Sequence, residues 1–449
     1  MQIFFRISSK VAELKIESII LIIIDDIRAD QFYNLINSDA LPNIKSLFAN
    51  SHYSDCCVTT FPSTTLPSHV SIFTGKYQDY YKIPSIKWFD KKNEKIHDYT
   101  KGLEGLKLIN DDIKTNDVQT IYEKIKGPSL VIFNGVIKGA THTNFNVVRK
   151  ISFNFSSFLE KHSLPKLITC WYFESDEKLH SFGSESKHYL RTLKRIDKDI
   201  GKIINELEER KIFDKCLIII TSDHGNYSAK SSLNIQDFFT NKGLYFLEDY
   251  YVDFGAVGFF YFKGKNWNDS LSIKNLEKYG EYELNLIEFI LNLPGVQYIA
   301  YREKMISKNE GIIEIRGKKG FGKIEFKGEL TKYEFEGTDP LGYNGNKNAK
   351  KLIDGAFHSI DEWLLHTIDT NNIIVVDQLA RILKMENSAD IIAVTDGKTV
   401  YHHIHSHDLP IPETMKVPLM LSHPSFNQKK LGLMKITDIH DIILRYLTS

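Results

Sequence analysis

Cysteine is scarce in this chain, with four in 449 residues. Cys56 and Cys57 are neighbours, so a bridge between them would be strained. Cys170 and Cys216 lie inside apolar runs, where a thiol behaves as a small core residue. A disulfide-stapled scaffold is thereby excluded, and the pattern leans towards a reducing compartment. A surplus of charge is also missing. Lys+Arg and Asp+Glu both number 57, so bulk attraction to a nucleic-acid backbone, which needs a positive surface, is not favoured. Long apolar runs are absent too. Ile19–Ile24 is far too short to cross a bilayer. Met1 to Lys15 alternates apolar and charged residues and lacks the apolar core and small-residue cleavage site of a secretory leader. The expectation is a cytoplasmic protein with no membrane partner and no stable nucleic-acid complex. Three sequons, at Asn154, Asn226 and Asn268, read as chance matches in an Asn-rich chain.

What is present is the make-up of a globular enzyme-sized domain: 42% hydrophobic and 25% charged residues. Ile19–Ile24 is short and β-branched and reads as a buried strand. Ser129–Phe133, Leu167–Phe173 and Cys216–Thr221 read likewise, with late strands at Ile391–Val394 and Val417–Leu421. Ser184 to Lys211 has helical periodicity, with Leu190, Leu193, Ile196, Ile200, Ile203 and Leu207 on one face. Strands alternating with helices imply a mostly parallel sheet covered on both faces. Ligands of such sheets bind beyond the carboxyl ends of the strands, where Asp25, Asp176 and Asp223 all fall. Residues Ile312 to Gly337 differ, alternating in period two between Gly-containing turns as a small antiparallel meander. The expected organisation is one catalytic domain over residues 1–449. Within it, an inserted cap-like subdomain spans about 300–365.

Asp176 and His180 are four apart, so one helical turn would bring both to a single cation. Asp223-His224 directly follows a buried strand, placing an anion and an imidazole at a sheet edge, which a shared metal would account for. Tyr401 to Asp408 contains four histidines, of which one ligand and three bystanders are expected. Thr59 to Gly75 is rich in hydroxyls and leads into a short helix closing at Gly75. A hydroxyl at a helix start sits in a positive field that favours an alkoxide and binds phosphate. In isolation, that segment reads better as an ordinary Ser/Thr helix cap.

Taken in order, these segments resemble a known pattern. Ile24-Asp25-Asp26-Ile27-Arg28-Ala29-Asp30 is similar to the "I-D-G-x-R-x-D" opening of the nucleotide pyrophosphatase/phosphodiesterase branch of the alkaline phosphatase superfamily. Thr65-Leu66-Pro67-Ser68-His69 then Thr74-Gly75 resembles its "T-F-P-N-H … T-G". Asp176 to Gly183 resembles "D-x-x-x-H-x-x-G", and Ser222 to Gly225 matches "S-D-H-G". His407 through Met415-Lys416-Val417-Pro418-Leu419 resembles "H-G … M-x-V-P-L". The resemblance implies an α/β, alkaline-phosphatase-like three-layer sandwich, with a mostly parallel central sheet and an inserted antiparallel β subdomain. It implies two divalent ions, Zn2+ by family expectation with Mn2+ as the alternative. Asp25, Asp223 and His224 would hold one, and Asp176, His180 and His407 the other. It also implies Thr65 as nucleophile, a phospho-threonine intermediate, and a small phosphate ester of the nucleotide type as substrate.

Three places depart from the pattern. The usual Gly after the first Asp is Asp26, and the usual Gly after the last His is Asp408. Both put negative charge near the site. The Asn expected downstream of the nucleophile is Ile86, so Asn144, or else Asn146, is the candidate to contact phosphate instead. Trp88, Phe89 and Tyr172 lie beside motif residues and are candidates to stack a base. Two alternatives are carried. One is a phosphomonoesterase or phosphonate hydrolase on the same centre, and the other a non-catalytic metal-binding scaffold. A sulfatase is disfavoured, because the Cys/Ser-x-Pro-x-Arg segment is absent.

Overall fold

The computed structural model describes residues 15–146 and 150–448. The leader-like test of Met1 to Lys15 therefore falls almost wholly outside the described residues. Strand β1 is Ser18–Ile24, buried at every position. Its side chains alternate between two apolar clusters. Ile19, Leu21 and Ile23 enter one, and Ile20, Ile22 and Ile24 the other. A strand covered on both faces has no polar side to display, which is why Ile19–Ile24 is an unbroken aliphatic run. Each such buried side chain contributes roughly 1.5–3 kcal/mol.

The central sheet runs β2 (Ser51–Val58), β14 (Lys416–Ser422), β6 (Cys216–Thr221), β1, β5 (Leu167–Tyr172), β3 (Ser129–Ile132), β4 (His142–Asn144). From β6 to β4 every pairing is parallel, with Ile22 opposite both Cys170 and Ile220. β14 is antiparallel to both its neighbours. On one face lies the helix Lys187–Glu209, which packs Leu193, Ile196, Ile200, Ile203 and Leu207 against the sheet. On the other lie helix α1 (Thr65–Thr74) and the C-terminal helix Asp438–Thr448. These are the three layers the sequence predicts.

Between β6 and β14 the chain builds a second, seven-stranded sheet. It begins with β7 (Tyr250–Phe254) and β8 (Val257–Phe262) and continues through β13 (Ile391–Thr395) and β9 (Val296–Ser307). The meander β10 (Glu310–Gly317), β11 (Gly320–Lys327) and β12 (Leu330–Gly337) completes it. All its pairings are antiparallel. The expected strand at Ile391–Val394 thus forms here and not beside the parallel strands. A five-residue apolar run is compatible with a buried strand of either kind.

Candidate active site

Three side chains are set by neighbouring strand ends. Asp25 is the first residue after β1, and its N–H donates to the Tyr172 carbonyl at 3.0 Å. Its Oδ2 accepts from Trp171 Nε1 at 2.9 Å. Asp223 and His224 turn off the end of β6, the adjacent strand. Asp223 Oδ1 accepts from the His224 N–H at 3.0 Å and the Asp26 N–H at 3.3 Å, which fixes the carboxylate. His224 Nε2 lies 3.6 Å from Asp25 Oδ1 and 3.6 Å from Asp223 Oδ2. One ligand atom from each of the three lies within 4.8 Å of the other two. We call this the inner group.

The outer group is built from a helix and a loop. Helix α2 (Glu174–Phe182) starts just past β5 and carries Asp176 and His180 one turn apart, with His180 Nε2 3.1 Å from Asp176 Oδ1. His407 Nε2 is 4.0 Å from the same oxygen. Asp176, His180 and His407 also offer one atom each within 4.8 Å. The three imidazoles share a device. His180 Nδ1 is 2.7 Å from the His405 carbonyl, His407 Nδ1 2.8 Å from the Ser63 carbonyl, and His224 Nδ1 3.2 Å from the Gly225 carbonyl. A carbonyl only accepts, so each Nδ1 carries a proton and each Nε2 faces its group. The His224 and His407 rings stack at 4.0 Å and bring the two groups together.

Thr65 is the first residue of α1, after the extended Thr64, and its Oγ1 lies 3.1 Å from His224 Nε2. The N–H groups of Thr65 and Leu66 have no helical acceptor at this position, and Pro67 has no N–H to offer. Gly75 closes the helix at φ 68, as the sequence predicts. Several other hydroxyls of the segment hold it in place. Thr59 Oγ1 donates to the Asp223 carbonyl at 2.5 Å, and Ser68 Oγ sits 3.0 and 3.1 Å from Thr59 and Thr60.

The donor set fits divalent cations. Asp25 Oδ1, Asp176 Oδ1 and Asp223 Oδ2 are buried and make no hydrogen bond among the described residues, and an unpaired buried carboxylate costs several kcal/mol. Nitrogen and oxygen donors without thiolate suit zinc or manganese. Protein charges alone already perturb every member. Burial, then the Asp223, Asp176 and Asp26 charges, push the Asp25 carboxyl well up. Burial would raise Asp223 as well, but the His224 and His69 rings override it and hold the carboxyl far below the usual range. Burial would lower His224 and His180. Asp223 and Asp26 raise the first to about 9, and Asp176 raises the second to about 9. His407, buried beside two other imidazoles, is pushed well down.

The two aspartates that replace glycine sit where glycine is at ease, Asp26 at φ 59 and Asp408 at φ 93. A left-handed backbone costs an L-residue about 1 kcal/mol. Asp408 recovers this, because its Oδ2 accepts from the Ala256 and Val257 N–H groups at 2.9 and 3.1 Å, tying the β7–β8 turn to the site loop. Its charge is directed at backbone and not at a ligand. Asn144 is not gathered with the other candidates. It ends edge strand β4, three strands from β1, about 14 Å by strand spacing, and its Oδ1 accepts from the Asn146 N–H. Ile86 packs against the core. Of the four histidines, His407 joins the outer group. His405 lends its carbonyl to His180 and its ring to Ser228 Oγ, and His402 and His403 are exposed. Tyr172, Trp88 and Phe89 are buried and not available to stack a base, with the Tyr172 hydroxyl donating to Asp199 and Trp88 Nε1 to Tyr99.

Sequence reasoning missed three residues around the inner group. His69 Nε2 is 3.4 Å from Asp223 Oδ2 and its Nδ1 is 3.1 Å from Asn134 Oδ1. Trp171 packs edge-on against His69 at 4.9 Å while donating to Asp25. Only the place of His69 in the nucleophile segment hinted at this.

The family signature described as type I phosphodiesterase / nucleotide pyrophosphatase matches residues 19–311. The chain belongs to that family. A Schizosaccharomyces pombe pyrophosphatase/phosphodiesterase is 24% identical over 230 residues, 46% of this chain and 44% of that protein. The Mus musculus bis(5'-adenosyl)-triphosphatase enpp4 is 26% identical over 226 residues, 46% of each. The chain thus spans about half the length of the curated relatives it matches. Murine ectonucleotide pyrophosphatase/phosphodiesterase 5 superposes with a TM-score of 0.62 at 14% identity, covering 96% of this chain and 95% of that one. An inactive threonine-to-alanine form of that murine protein has been solved in complex with AMP, with a TM-score of 0.61 and 13% identity over the same share of both chains. At such identity the likeness shows the alkaline-phosphatase-like fold. The type I phosphodiesterase / nucleotide pyrophosphatase family is one of hydrolases. Among the described residues no helix is long and apolar enough to cross a membrane.

Proposed function

We propose that this chain hydrolyses phosphodiester or pyrophosphate bonds of nucleotide-type substrates through Thr65. The observation that carries the reading is the Thr65 hydroxyl at a helix start, 3.1 Å from His224 Nε2, beside the inner of two three-residue groups able to hold cations. Asp25, Asp223 and His224 would hold one divalent ion, and Asp176, His180 and His407 a second, with zinc the better match and manganese the alternative. When bound, such ions neutralise phosphoryl charge and ease loss of the nucleophile's proton.

The chain's own groups do the rest. Thr65 Oγ attacks phosphorus, and the bond to the leaving oxygen breaks as the Oγ–P bond forms. The free N–H groups of Thr65 and Leu66 orient a non-bridging oxygen at the positive end of α1. Water then cleaves the phospho-threonine ester and restores the hydroxyl. For a base, the platform is the partly exposed Phe145, Phe173 and Trp171, with the buried Phe133 packed behind them. Phe133 stacks on Phe173 at 5.2 Å, and Trp171 reaches from there to Asp25. The nucleotide class is supported by the triphosphatase name of the murine relative and by the AMP bound to the structural neighbour.

The test is turnover of p-nitrophenyl thymidine monophosphate against p-nitrophenyl phosphate by zinc- and manganese-loaded protein. Faster diester turnover, lost with chelator and with Thr65→Ala, is expected. Faster monoester turnover would replace this reading with a phosphatase. No turnover of either would favour the non-catalytic scaffold.

A further inference from the structure

Asp26 stands where the family pattern has glycine, and nothing in the reading above uses its side chain. Three observations converge on it. Its carboxyl group is completely buried, and neither oxygen has a hydrogen-bond partner among the described residues, an arrangement that folding resists unless a nearby group compensates. Its backbone is clamped in the left-handed conformation. The carbonyl accepts from the Tyr189 hydroxyl at 2.7 Å and from Asn226 Nδ2 at 3.1 Å, while the N–H donates to Asp223. The side chain therefore has little choice of direction, and its Oδ1 lies 3.7 Å from His224 Nδ1.

We propose that Asp26 is a positioning residue for His224, its carboxyl group standing beside the Nδ1–H edge of the ring so that Nε2 is held towards Asp25, Asp223 and the Thr65 hydroxyl. The Gly225 carbonyl sits 3.2 Å from that nitrogen and accepts from it. Asp26 adds a second oxygen on the same edge of the ring, at 3.7 Å. A carboxylate behind a ligating imidazole fixes its orientation and increases its basicity, and losing one typically weakens metal affinity 10–100-fold. Asp408, the other aspartate in a glycine position, makes the contrast. Its carboxylate is turned to two backbone N–H groups. The inference rests on the reading of Asp25, Asp223 and His224 as cation ligands.

The test is zinc affinity of the full chain, measured by competition with a chromophoric chelator, for the parent, Asp26→Gly, Asp26→Asn and Asp25→Ala. Asp26→Gly suits the backbone, so the variant is expected to fold with unchanged or higher thermal stability when stripped of metal. Its tighter zinc site should weaken 10–100-fold at unchanged stoichiometry. Asp26→Asn keeps an acceptor oxygen and should recover part of the loss. In the parent, the His224 ring nitrogens observed by NMR should report the Nδ1–H tautomer with zinc bound. Parental affinity in Asp26→Gly, with affinity lost in Asp25→Ala, would overturn the role of Asp26 and leave the metal-centre reading standing. Parental affinity in Asp25→Ala would overturn both.

Discussion

The inner and outer groups each offer three ligands, two carboxylates and one imidazole inside against one carboxylate and two imidazoles outside, and they are built differently. The inner side chains are 0–2% exposed and stand on the ends of two adjacent parallel strands. The outer ones are 12–23% exposed and come from a nine-residue helix and a loop between short strands. Each inner residue is also braced by neighbours, Asp25 by Trp171, Asp223 by His69 and two N–H groups, and His224 by Gly225. Burial on rigid elements makes a preorganised site. On the proposed reading, the difference predicts that the inner group holds its ion more firmly than the more exposed outer group.

The largest expected effect leaves both groups intact. Thr65→Ala should lower diester turnover about 10³-fold or more, while zinc content measured by elemental analysis stays at the parental level. Parental turnover would show that neither group is organised around that hydroxyl. Next comes the comparison itself. Asp223→Ala should abolish tight zinc binding and turnover together. His180→Ala should weaken only the looser site, and added zinc should restore part of the rate. Equal losses in the two variants, read by chelator titration, would erase the distinction drawn between the groups.

Protons compete with ions at both groups, and the sign follows from the imidazoles. His180 and His224 are each raised to about 9, above an unfolded value near 6.5. Their contribution to the stability of the metal-stripped protein is complete below about 6.5 and is lost as pH rises through about 9. Asp26, raised by burial to about 8, acts in the same direction. The melting temperature of stripped protein should therefore fall between pH 6.5 and 9. Apparent zinc affinity should rise over the same range, because the ion needs the deprotonated rings. A stripped protein whose melting temperature rises over that range would contradict this assignment.

Part of this was legible in the chain and part was not, for physical reasons. The β1 aliphatic run declares its two-sided burial, and the i,i+4 spacing of Asp176 and His180 declares a shared helix face. Asp25 and Asp223 are readable as neighbours only because parallel strands bring their carboxyl ends to one edge. Ile391–Thr395 carries no mark of which sheet it joins, since buried strands of both sheets look alike one residue at a time. Asn144 was a match of residue type without a constraint on place. Tyr172 and Trp171 are adjacent in β5, yet alternation sends one to the core and the other towards Asp25. The sequence does not say which goes where until the register with β1 is fixed.

Trp171 supplies the smallest effect and the sharpest use of the contrast between groups. Its indole N–H makes the one hydrogen bond to Asp25 Oδ2 among the described residues, and its ring packs against His69, which faces Asp223. One residue thus braces two of the three inner carboxylate and imidazole partners and touches none of the outer ones. Trp171→Phe keeps an aromatic surface and removes the donor, at a net cost of about 1.5 kcal/mol, the low end for a bond to a charged group. That corresponds to a loss of roughly 10-fold in affinity, confined to the tighter zinc site. The outer site should keep its parental affinity, because Asp176, His180 and His407 are braced by the carbonyls of His405 and Ser63 and by their own packing. Titration of the variant with zinc, resolved into its two sites, reads this directly. If both sites weaken together, the groups behave as one cooperative unit joined through the stacked His224 and His407 rings. The division by burial would then describe the architecture of the centre but not its energetics.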